Sequence, residues 1–133
     1  MAAGGTATVT RARILVIEDE PSVTAFLRSM LERRGYEVVA SPTAAQGLQL
    51  LGSGDFQGVI SDFRTPGGVT SADVHDWLSR NRPGLAARII FITGDTASDE
   101  TIALLAHSGT PCVEKPFRVH QLMAAVEKTI GKP

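Results

Sequence analysis

One cysteine, Cys112, stands in the 133-residue chain. That excludes an intrachain disulfide and any multi-cysteine zinc site, and it fits a reducing, cytoplasmic setting. Charge of one sign is also missing. The 14 acidic and 13 basic residues leave −1, so nothing in the balance favours direct nucleic-acid binding or an anionic membrane surface. No apolar run approaches the ~20 residues of a membrane helix, so no membrane insertion is expected. The opening Met1-Ala2-Ala3-Gly4-Gly5-Thr6-Ala7-Thr8 lacks the charged start and apolar centre of a signal peptide. It reads as part of a flexible leader over residues 1–11. There is no internal repeat. Residues 12–131 are enough for one domain with a core of its own.

Short strand-like runs alternate with segments of helical period. The strands expected are Arg13–Ile17, Glu37–Ala40, a run around Val59-Ile60, Arg88–Thr93 and Cys112–Glu114. Pro21 suits the first turn of a helix carrying Phe26, Leu27, Met30 and Leu31, which Gly35 stops. Ser41-Pro42-Thr43 opens a second helix. A third runs over Ser71–Asn81, with Trp77 and Leu78 on its core face and Pro83-Gly84 closing it. Ser98 is a plausible N-cap for a fourth, and Val119–Ile130 is the last. Five strands alternating with five helices predict an α/β fold with right-handed crossovers and helices on both faces of a parallel sheet. The nearly unbroken apolar strands one, three and four fit positions covered on both sides.

Polar groups close these runs. Glu18 and Asp19 end the first strand, Asp62 the third and Thr93 the fourth, while Lys115 follows the fifth. In an open parallel sheet the ligand crevice lies outside the carboxyl ends of the strands. Taken singly, each residue has a plainer reading: Glu18-Asp19 as solvated loop acids, Thr93 as an ordinary strand residue, Lys115 as a surface charge. Together they describe a site. Carboxylates brought close repel one another unless a hard divalent cation joins them, and oxygen ligands suit Mg²⁺ rather than zinc. The ammonium and the hydroxyl suit a phosphoryl group. Pro116 restricts the backbone of Lys115 and admits a cis peptide there. A charge facing such a cleft should add little to the core, so losing Lys115 should leave the fold nearly intact.

The stretches Ile14-Leu15-Val16-Ile17-Glu18-Asp19-Glu20-Pro21, Val59-Ile60-Ser61-Asp62-Phe63-Arg64-Thr65-Pro66-Gly67, Phe91-Ile92-Thr93-Gly94-Asp95 and Glu114-Lys115-Pro116-Phe117 resemble the receiver domain of two-component response regulators. The order and spacing agree over about residues 12–130. The resemblance implies a flavodoxin-like (βα)5 three-layer sandwich with strand order 2-1-3-4-5. It implies Asp62 as the phosphoacceptor. It further implies Mg²⁺ held directly by Asp19 and Asp62, by Glu18 through water, and by the backbone carbonyl of Arg64. Lys115 would pair with the phosphoryl oxygens, and Thr93 would be the hydroxyl that moves toward the phosphate. The implied partner is a histidine kinase or histidine phosphotransfer domain. The implied setting is the cytoplasm, and a homodimer stays open. Such a domain is not an enzyme beyond catalysing its own phosphorylation and dephosphorylation.

Two features depart from the family. Cys112 stands where relatives carry Tyr or Phe and reads as a small buried strand residue. The loop Gly68-Val69-Thr70-Ser71 lacks the acidic–glycine pair frequent there. His75, His107 and His120 read as exposed helix positions. Rival readings are weaker. A haloacid-dehalogenase-like aspartyl phosphatase would carry its nucleophile on the first motif and an acid two residues beyond it, whereas Arg64 lies two beyond Asp62. A phosphate-independent receiver-like binding module would have no use for Asp19, Asp62, Thr93 and Lys115 together. A nucleotide-binding protein would need a Gly-rich loop after the first strand. The chain ends soon after the last expected helix, so it reads either as a stand-alone receiver or as a piece of a hybrid histidine kinase.

Overall fold

The computed structural model describes residues 12–63, 67–94 and 111–133. Strands form where the apolar runs lie: β1 (Arg13–Ile17), β2 (Glu37–Ser41), β3 (Gly58–Asp62), β4 (Ile89–Thr93) and β5 (Cys112–Glu114). All pair in parallel, in the order β2-β1-β3-β4-β5. This is the expected flavodoxin-like α/β arrangement. The registers align Ile17 with Ser61 and with Ser41, Asp62 with Ile92, and Thr93 with Glu114. They therefore bring the polar strand ends to one edge.

Successive residues of a strand point to opposite faces, which divides the core in two. Ile14, Val16, Ile60 and Ile92 face α1 (Pro21–Arg33) and α5 (Val119–Thr129). Leu15, Ile17, Val59 and Phe91 face α2 (Ala44–Ser53), α3 (Ser71–Asn81) and the four-residue α4 (Pro83–Ala86). Pro21 opens α1, as expected. Gly35, at φ +98°, closes it, with its N–H donated to Glu32 O and that of Tyr36 to Leu31 O. This paired closure needs the left-handed conformation that glycine adopts without strain. Thr43 caps α2 by accepting from Gln46 N, and Thr70 forms a reciprocal capping box with Asp73 at the start of α3.

Three expectations are corrected. Phe26 is 41% exposed, because Leu27, Met30 and Leu31 fill the face of α1 turned to the sheet; Phe26 instead lies against Phe117, ring centroids 5.8 Å apart. Pro83 opens α4 rather than ending the helical run, since α3 has already closed at Asn81 with Arg82 as its cap. His75 is half-buried, its ring 6.4 Å from that of Phe91, whereas His120 is exposed. Trp77 is half-buried against the core and Leu78 fully buried. The leader, the Ser98 helix and His107 lie outside the described residues.

Gly58 carries a sharp packing requirement. A Cβ there would stand 2.5 Å from both Cδ1 and Cγ1 of Ile130 and 2.7 Å from its Cγ2. At Gly47 the conflict is chiefly with the δ-methyl of Ile17, at 2.7 Å, the movable end of a side chain. Gly58→Ala should therefore cost about 1–3 kcal/mol, lowering the thermal midpoint by roughly 5–15 °C, and Gly47→Ala should cost less. Thermal denaturation of the two variants checks this; an unchanged midpoint for Gly58→Ala would show that α5 shifts freely.

Candidate phosphoryl and metal site

The carboxyl ends of β1, β3 and β5 converge on the ammonium of Lys115. Its Nζ lies 2.9 Å from Asp62 Oδ2, 2.9 Å from Glu18 Oε1 and 3.2 Å from Glu20 Oε1. The backbone N–H of Lys115 donates to Thr93 O at 2.7 Å, tying the segment after β5 to the end of β4. The Lys115–Pro116 peptide is cis. Thr93 is buried beside this point, in the strand between β3 and β5.

Burial separates the three acids. The Glu18 side chain is fully buried, Asp62 nearly so, and Glu20 is largely exposed. Oε2 of Glu18 accepts from the backbone N–H of Glu20. Its Oε1 faces the ammonium as an ion pair without the angles of a hydrogen bond, so it keeps capacity for a further partner. Burial, aided by the Asp62 charge and opposed by Lys115, pushes the Glu18 carboxyl up to about 7. For Lys115, burial works against the charge, but Asp62, Glu18 and Glu20 outweigh it and hold the ammonium above the usual lysine range.

One ligand oxygen each from Glu18, Glu20 and Asp62 falls within 4.8 Å of the others; the carboxylates of Glu18 and Asp62 suit a hard cation, while Glu20 is hydrogen-bonded to Lys115 from the exposed side. Asp19 is exposed and stands outside this trio, lining a cavity of about 370 Å³ with Glu18, Arg28 and Ser41. Arg64, expected to give a carbonyl, lies outside the described residues.

Two residues at the site escaped the sequence reading. Glu20 stands one position before Pro21 and reads as a helix-entry residue until the turn of the chain brings it to Lys115. Ser71 is buried at the start of α3, its Oγ donating to Asp62 O (2.7 Å) and Phe63 O (2.9 Å). It holds the chain just after Asp62 against α3. The capping box around it was readable as Thr70-x-x-Asp73; its contact with Asp62 was not. Cys112 is half-buried on the α3 side of the sheet, and burial together with the Glu114 charge pushes its thiol up, away from thiolate chemistry.

A five-stranded parallel sheet in the order 2-1-3-4-5, with acids and a lysine gathered at the strand ends, is the frame of a receiver domain. The chain belongs to the response regulator receiver domain family, which it matches over residues 14–127. It is 30% identical over 116 residues to the transcriptional regulatory protein TcrA of Mycobacterium tuberculosis H37Rv, covering 87% of this chain and 45% of that protein. It is 32% identical over 123 residues to the sensor histidine kinase TmoS of Ectopseudomonas mendocina, covering 90% of this chain and 12% of that one. It thus spans about half or less of these relatives. Among solved structures, the response regulator TrrA of Thermotoga maritima, in complex with Mg²⁺ and BeF, superposes with a TM-score of 0.76 at 27% identity, over 89% of this chain and 98% of that one. Receiver domains are the phosphorelay modules of two-component systems; they bind Mg²⁺ in an acidic site and interact with histidine kinases or phosphotransfer proteins. Among the described residues no helix is long and apolar enough to cross a membrane.

Proposed function

We propose that residues 12–131 form a receiver unit that takes a phosphoryl group onto Asp62 from a histidine kinase or histidine phosphotransfer domain in the cytoplasm. The observation that carries this is the 2.9 Å contact between Lys115 Nζ and the nearly buried Asp62 carboxylate, bridging the ends of β3 and β5. A carboxylate oxygen of Asp62 forms the new O–P bond while the P–N bond of the donor breaks, its electron pair returning to the imidazole. Positioning and charge neutralisation carry such a transfer. Lys115, 2.9 Å from Asp62 Oδ2, would meet a phosphoryl oxygen there, and the Thr93 hydroxyl would be the second donor at that edge. Asp19 and Asp62 would hold Mg²⁺ directly, Glu18 through water, and Arg64 through its carbonyl. When bound, the ion neutralises charge on the phosphoryl oxygens.

The acyl phosphate draws Lys115 and Thr93 toward it, and the 2.7 Å backbone bond between these two residues couples the ends of β4 and β5 in that movement. With Cys112 in place of an aromatic residue, the response runs through the strand ends rather than through a swinging ring. Incubation of the protein with acetyl phosphate tests the reading. Intact mass should rise by one phosphoryl group with Mg²⁺ and stay unchanged with excess chelator; phosphorylation that ignores chelation would contradict it.

The raised carboxyl of Glu18 sets a pH dependence. A proton held by Glu18 must leave before the site carries its full charge for the cation. Mg²⁺ affinity should therefore climb up to tenfold per pH unit below about 7 and level off above it. Stability of the metal-free protein moves the other way. A carboxyl with a folded pKa above its unfolded value contributes stability at low pH, and this is lost as pH rises from 4.5 through about 7. Calorimetric Mg²⁺ titrations between pH 5.5 and 8 check the first; a flat affinity would mean that Glu18 stays charged throughout.

A further inference from the structure

We propose that Glu20 is the displaceable counter-ion of Lys115: it occupies the ammonium in the resting site, yields it to the incoming phosphoryl group, and so disfavours small, highly charged phosphodonors. The inference rests on the reading of Asp62 as phosphoacceptor and adds a residue that selects what reaches it.

An ammonium has three N–H donors. Lys115 hydrogen-bonds Asp62 at 2.9 Å and Glu20 at 3.2 Å and stands 2.9 Å from Glu18 as an ion pair, so three carboxylate oxygens crowd around the ammonium. A phosphoryl oxygen that approaches the ammonium must displace one of the oxygens already crowded around it. Glu18 cannot leave readily, since its side chain is fully buried and its other oxygen is held by the Glu20 N–H. Asp62 is the reacting group and stays. Glu20 has the longest contact, its side chain is 58% exposed, and it makes no capping hydrogen bond to α1. It can turn into water with little desolvation to reverse, while its backbone, accepting from Thr24 N, keeps the helix entry in place. Until it turns away, its negative charge stands beside the path of an anionic donor.

Acetyl phosphate and phosphoramidate separate the effect by charge. With either, an Asp62 oxygen bonds to phosphorus. The P–O bond of the first breaks to release acetate, and the P–N bond of the second breaks to release ammonia. Glu20→Gln removes the charge and keeps the shape. At saturating Mg²⁺ it should raise the phosphorylation rate about 3- to 10-fold with acetyl phosphate, as removal of one partly screened charge implies, and by less with the less charged phosphoramidate. Mg²⁺ affinity, measured by calorimetry, should stay within about twofold, because Glu20 is assigned to the lysine rather than to the ion. Glu32→Gln removes an exposed carboxylate within α1, one paired with Arg28 at 3.5 Å, and should change neither rate.

An unchanged or slower rate in Glu20→Gln overturns the inference. So does an equal gain in Glu32→Gln, which would reveal a general charge effect. A tenfold loss of Mg²⁺ affinity in Glu20→Gln also overturns it, because Glu20 would then be a metal ligand. These outcomes leave the phosphoacceptor reading standing, whereas a wild-type protein that takes no phosphate on Asp62 removes both.

Discussion

Asp62→Asn should lower phosphate incorporation from acetyl phosphate by at least about 100-fold while leaving the protein folded and its thermal midpoint level or higher. The amide keeps the size of the carboxylate, and its oxygen can still accept from Lys115, but it is a poor nucleophile and carries no charge for a cation. Stability should not fall, because the substitution removes one of three mutually repelling carboxylates. Glu18, whose carboxyl is held high partly by the Asp62 charge, should titrate lower in the variant. Intact mass after incubation with donor and Mg²⁺, beside a thermal melt, reads both expectations. Phosphorylation at the wild-type rate would place the acceptor elsewhere.

Lys115→Ala should be costly in two ways. From sequence, a cleft-facing charge promised little contribution to the fold. The structure revises this, because the ammonium contacts Glu18, Glu20 and Asp62 together. Removing it leaves three carboxylates within 4.8 Å of one another, one of them fully buried. We expect a loss of about 1–3 kcal/mol in the metal-free protein at pH 7.5. That is below the ~3–5 kcal/mol of a fully buried broken pair, since Glu18 can take up a proton and Glu20 can turn to water. Mg²⁺ should restore much of the loss, so the variant should gain more stability from the ion than wild type does. The phosphate-induced shift of the β4 and β5 ends should disappear. Thermal melts with and without Mg²⁺, and amide spectra of the phosphorylated variant, check these expectations. A melt matching wild type without the ion would show that the carboxylates do not depend on Lys115.

The strands were legible because a sheet buried on both faces demands continuous apolar runs, and Pro21, Gly35 and Pro83-Gly84 punctuate them clearly. Their polar last residues exposed the site in outline: Glu18, Asp62, Thr93 and Lys115 all lie at the edge where they were expected. Strand order came from the family resemblance, since alternation alone leaves several parallel orders open. What stayed hidden depends on how the chain turns after a strand. Glu18 and Glu20 approach the ammonium while the residue between them, Asp19, is turned toward solvent, and no periodicity in Glu18-Asp19-Glu20-Pro21 announces that. Phe26 fits the helical spacing of its neighbours but sits one position off the stripe that faces the sheet. Ser71 became a site residue only when α3 docked on β3 and gave the hydroxyl two carbonyls to meet.

The phosphoryl group is expected to be carried as an acyl phosphate on Asp62. Borohydride reduction of the phosphorylated wild-type protein converts an aspartyl phosphate to homoserine, and peptide mass analysis then reads the position directly. Homoserine is expected at residue 62 alone, in Mg²⁺-treated samples and not in chelated ones. Homoserine at residue 19 or 73, or phosphate stable to borohydride and retained on His75 or His120, would contradict it.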